Sequence, residues 1–100
     1  VSNFLRAFDR DGNPISDEEA ARLFRDFDER RVAYNQFDDV EVSTVHIVFN
    51  HRFSDGPPLI FETMIFGGEY DQHQWRYSTL DDALEGHQRV CVLLQEGRCL

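Results

Sequence analysis

VEVSTVHIVFNHRFSDGPPLIFETMIFGG, Val40–Gly68, contains two apolar runs separated by a short polar turn. Val42, Val45, Ile47, Val48 and Phe49 mark the first run, and Leu59–Phe66 forms the second. β-Branched and aromatic residues fit a pleated, half-buried surface, so strands are predicted over Val40–His51 and Leu59–Phe66. The link Ser54–Pro58 is too short for a crossover, which makes the pair antiparallel. Glu62 stands inside the second run, with Leu59, Ile60 and Phe61 before it and Met64, Ile65 and Phe66 after it. A carboxylate there needs a partner, because leaving it buried and unpaired is costly. His51, Arg52 and Arg76 are the candidate partners, and losing a buried, partnered carboxylate is expected to cost about 3 kcal/mol.

Working outward, Arg31–Phe37 and Gln74–Ser78 read as shorter strands, set off by Asp38-Asp39 and Gly67–Gln72. Asn3–Phe8 is a candidate first strand, followed by a turn at Asp9–Pro14. Ser16 with Glu19 forms a capping box for a helix over Asp17–Glu29, whose apolar stripe is Ala20, Leu23, Phe24 and Phe27. Thr79 with Asp82 in the box position starts a last helix over Leu80–Gln95, ended by Gly97. Leu80, Ala83, Leu84, His87, Cys91 and Leu94 are its expected buried face. The order β-α-β-β-β-β-α predicts one α+β domain over residues 1–100. It is an antiparallel meander of four to five strands with two helices packed on one face.

Ten Arg, no Lys and nineteen Asp plus Glu give a net charge of −9. Six Arg and eleven acids lie in the first fifty residues, and four Arg and eight acids in the last fifty. The charge is thus spread over the fold and is not gathered in an acidic tail. Such a field repels nucleic acid and membranes and attracts basic surfaces. No apolar run approaches a membrane span. The first residues lack the basic and apolar regions of a signal peptide, which gives a cytoplasmic location as the expectation. Cys91 and Cys99 form no CxxC pair and read as unpaired thiols.

Asp9-x-Asp11-Gly12 resembles part of a calcium loop, but Ala7 falls where the first carboxylate is required, so a polar turn is the better reading. His46, His51, His73 and His87 show no metal-ligand spacing, and His46 and His51 have opposite parity on one strand. Neither a metal nor a cofactor is expected. His51 and Glu62 are the candidate catalytic pair, a minimal acid–base kit that is also an ordinary ion pair. No phosphate-cradling glycine loop is present. Trp75 and Arg76 form a binding candidate able to stack on a planar group. The acids of the first helix, Asp17, Glu18, Asp26 and Glu29, form a second candidate face, suited to a basic partner.

Asp9-Arg10-x-Gly12-x-Pro14-Ile15, Glu41–Val45, GPPLIFETMIFGG at Gly56–Gly68, Arg76–Thr79 and Asp81–His87 resemble a family of small proteins from phages and prophages of high-GC actinobacteria. Gly56–Met64 is the most specific segment. The resemblance implies a phage-type accessory protein acting in a bacterial cytoplasm and carries over no catalytic residue. The leading expectation is a non-enzymatic module that occupies a basic surface of a host protein. By analogy of class, that host protein is a nuclease or defence effector, as for an anti-CRISPR protein. The alternatives are a small enzyme or ligand-binding domain built on His51 and Glu62, and a homodimer that pairs sheet surface or an open strand edge.

Overall fold

Capped helices and alternating strands assemble as the patterning requires. The computed structural model describes residues 6–52 and 55–96. Helix α1 spans Asp17–Arg25 and a one-turn helix α2 spans Phe27–Arg30. Strands β1 (Arg31–Phe37), β2 (Val40–His46), β3 (Phe61–Phe66) and β4 (Gln74–Tyr77) precede helix α3 (Leu80–Gln95). Among the described residues the sheet has four strands in the order β1-β2-β3-β4, every neighbour antiparallel. This is the α+β meander that the short links dictate.

Both predicted caps form. Ser16 accepts from the Glu19 amide and Thr79 from the Asp82 amide. Helix α3 lies across all four strands. Val42 and Ile65 meet Val90 and Cys91 there, while Ile60 and Phe61 meet Ala83 and Phe8. Helix α1 packs Ala20 and Leu23 on Ala7 and Val48, just beyond the end of β2.

Four expectations are corrected. Asn3–Leu5 of the proposed first strand lie outside the described residues, and Ala7 and Phe8 form only isolated bridges, to Phe49 and Pro14. Strand β2 stops at His46 instead of running to His51. Val48 takes a left-handed φ of 69°, a strained conformation for a β-branched residue, and this breaks the ladder. The Asn50 side chain then takes over as acceptor for the Arg52 and Leu59 amides.

The first helix divides at Asp26, whose side chain accepts from the Glu29 amide and so caps a new turn. An Asp that can bond locally competes with helix continuation. The break moves Phe24 and Phe27 out of the buried stripe, to 52% and 45% exposure. On α3, Leu84 is exposed, whereas Gly86 and Val90 are buried. Gly86 has no Cβ, and the Tyr77 hydroxyl occupies the space where one would stand.

Candidate functional site: the uncovered sheet face

Because side chains alternate along a strand, the two faces of the sheet have different fates. Val42, Thr44 and His46 of β2 and Phe61, Thr63 and Ile65 of β3 point to the α3 side and are buried. Glu41, Ser43 and Val45 of β2 and Glu62, Met64 and Phe66 of β3 share the opposite face. With Phe27 and Arg31 they line a groove of about 320 Å³. Its floor is Val45, Ser43 and Met64, and Phe66 at one end is 44% exposed.

The wall beside β1 is a stack of alternating rings and guanidinium groups. The Arg30 guanidinium lies 4.8 Å from the Phe24 ring centroid and 5.6 Å from that of Phe27. The Arg31 guanidinium lies 4.8 Å from Phe27 and 4.3 Å from Tyr34. Such contacts hold exposed rings in fixed places at a gain of about 0.5–1 kcal/mol each. The Tyr34 hydroxyl donates to Glu41, which pushes the Tyr34 phenol pKa up.

Glu62 belongs to this face. Its carboxylate accepts from Arg76 Nε at 3.0 Å, across the β3–β4 pairing. Arg76 is therefore its partner among the three candidates. The Glu62 side chain is only 15% exposed, but its neighbour across the strand is an uncovered sheet surface, not a sealed core. The cost of losing the pair is correspondingly revised to about 1 kcal/mol.

His51 is placed elsewhere, with its Nδ1 at 2.7 Å from the Phe49 carbonyl. The structure thus gives His51 and Glu62 separate partners. Asp17 and Glu18 are exposed in the first turn of α1. Asp26 serves as the α2 cap, and Glu29 meets Arg22 at 3.1 Å. Trp75 shares the parity of Tyr77 and turns to the α3 side, against Val42, Ile65, Val90 and Cys91. Trp75 and Arg76 therefore face opposite sides and do not form one stacking site.

The histidines also sort by face. His46 is buried with Nε2 2.9 Å from the Phe8 carbonyl, and burial pushes its pKa down. His87 is buried between Thr44 Oγ1, 2.7 Å from Nδ1, and Asn35 Oδ1, 2.8 Å from Nε2. The Asn35 oxygen requires a donor, so Nε2 carries the proton and Nδ1 accepts from Thr44. Thr44 continues to Thr63 at 2.6 Å, and Thr63 is hydrogen-bonded to Tyr77. Burial lowers the His87 pKa as well. This chain satisfies the polar atoms between sheet and helix.

The Asp9 carboxylate accepts the amides of Asp11 and Asn13, as a polar turn does. Among the described residues no cluster of His, Cys, Asp and Glu is arranged to hold a metal ion, and no helix is long and apolar enough to cross a membrane.

The sequence did not mark the groove residues Phe27, Arg31, Val45, Met64 and Phe66 as a binding surface. A signal was present, because Glu41, Glu62 and Arg76 all carry the parity of this face, and a face that collects charges is not the core face. No protein-family profile, curated protein or solved structure matches the chain.

Proposed function

We propose that this chain is a non-enzymatic protein-binding module that docks through the uncovered face of its sheet. The observation that carries this reading is the groove itself. Exposed Phe27 and Phe66 flank a floor of Val45, Ser43 and Met64, and Arg31, Glu41 and Glu62 stand around it. Aromatic and Arg side chains surrounded by polar ones are the composition of protein-binding hot spots.

The partner is a basic protein surface. The net charge of −9 steers such a partner in, and acids line the groove at Glu41 and Glu62. In this reading the chain is a phage-type accessory protein that masks a basic surface of a host protein, such as a nuclease or defence effector.

The test is capture of basic proteins from a bacterial lysate by the immobilised chain, identification by mass spectrometry, and calorimetric titration of the purified partner. Phe27→Asp with Phe66→Asp should weaken binding at least about tenfold while leaving the circular dichroism spectrum unchanged. A partner bound equally well by the double variant would overturn the reading.

A further inference from the structure

Strand β1 is an edge strand, paired with β2 alone among the described residues. Tyr34, Asn35 and Gln36 are consecutive and all exposed. Successive side chains point to opposite faces, so three exposed in a row mean that the edge itself is open. The strand is seven residues long, without Pro or Lys, and its register shift lies between Arg31 and Ala33, leaving Ala33–Phe37 regular. Natural edges are usually shortened, bulged, charged or covered. The other edge, β4, follows that rule with four residues.

Asp38 and Asp39 close a two-residue hairpin between Phe37 and Val40. The closing pair of such a hairpin exchanges both hydrogen bonds, so Phe37, Asn35 and Ala33 bond inward to β2. The backbone groups of Tyr34 and Gln36 point outward.

We infer that this edge pairs with the same edge of a second copy, forming a two-fold dimer with a continuous sheet. Charge selects the occupant. In a chain of net charge −9, residues 30–37 carry Arg30 and Arg31 and no acid, and Asp38-Asp39 follow directly. An antiparallel self-pairing centred on Asn35 sets Tyr34 of each copy opposite Gln36 of the other, so that the outward-facing residues meet, and places Arg31 of each copy beside Asp39 of the other. The two-fold axis makes each such contact twice. Repulsion between two acidic copies is weak along this acid-free stretch. The inference does not rest on the docking reading: Arg31 and Tyr34 stand where the groove wall meets the edge, while Phe27, Phe66 and the groove floor would stay open on both copies.

Sedimentation equilibrium on the whole chain, from micromolar to millimolar concentration, tests it. The wild type should approach twice the monomer mass. Gln36→Pro removes an outward N–H without touching the β2 ladder and should weaken pairing at least about tenfold. Arg31→Asp and Asp39→Arg should each be monomeric alone and dimerise when mixed, because among the variant pairings only the mixed one restores opposite charges at both contacts. The mixing arm keeps the test decisive if Gln36→Pro fails to fold by circular dichroism. Phe66→Asp, on the docking face, should leave the dimer mass unchanged. A monomeric wild type, a dimer that survives Gln36→Pro in the folded state, a failure of the mixed pair to associate, or loss of the dimer in Phe66→Asp would overturn the inference.

Discussion

Glu62 and Arg76 face each other on adjacent strands, held by a 3.0 Å contact. Their setting lies between surface and core, and so does their expected worth. Glu62→Gln should lower stability by about 1 kcal/mol, read from the urea midpoint, and a double-mutant cycle with Arg76→Gln should attribute most of that loss to the pair. A loss near 3 kcal/mol would mean that the face is sealed, which its exposed rim contradicts.

His46 and His87 are expected to set the acid limit of the fold. Burial lowers both pKa values in the folded state, so the unfolded chain binds more protons as the pH falls below about 6.5. Their contribution is fully present above that pH and is lost as the pH falls through the folded values. Urea midpoints between about pH 8 and pH 5 should therefore decline before the carboxylates titrate, and His87→Gln should flatten the decline. A midpoint that is level across this range would show that neither ring is kept neutral by the fold.

At the scale of elements, Gly86 gives the sharpest expectation. A mid-helix Gly→Ala change normally stabilises by about 0.5–1 kcal/mol. Here a Cβ would collide with the Tyr77 ring and hydroxyl, so Gly86→Ala should instead destabilise by about 2 kcal/mol. Tyr77→Ala should abolish that penalty in the double variant, as thermal unfolding would show.

The α1–α2 break depends on a single cap. Asp26→Ala should cost about 1 kcal/mol and loosen Phe27, the ring that flanks the groove. That local loosening is measurable as faster amide exchange over Phe27–Arg30.

Among the described residues, one sheet face is covered by α3 and the other is open, under a net charge of −9. If association with a basic partner is steered by that field, its rate constant should fall about tenfold between low and physiological salt. Asp17→Arg with Glu18→Arg should flatten this dependence in stopped-flow measurements while changing the dissociation rate little. These two residues are suited to the test because they are exposed and lie away from the groove.

The existence of the four sheet strands, their antiparallel order and both long-helix caps were determined by the sequence alone. They depend on local chemistry: β-branched runs, short polar links, and Ser16 and Thr79 facing the amides of Glu19 and Asp82. The parity of Glu41, Glu62 and Arg76 also marked which face would hold charge. Only the tertiary structure decided that α1 sits beyond the end of β2 and leaves this face bare, that Asp26 frees Phe24 and Phe27, and that Trp75 turns inward. Periodicity specifies which residues share a face. What covers that face is decided by packing between segments far apart in the chain, here the fit of Gly86 to Tyr77 and of His87 to Thr44 and Asn35.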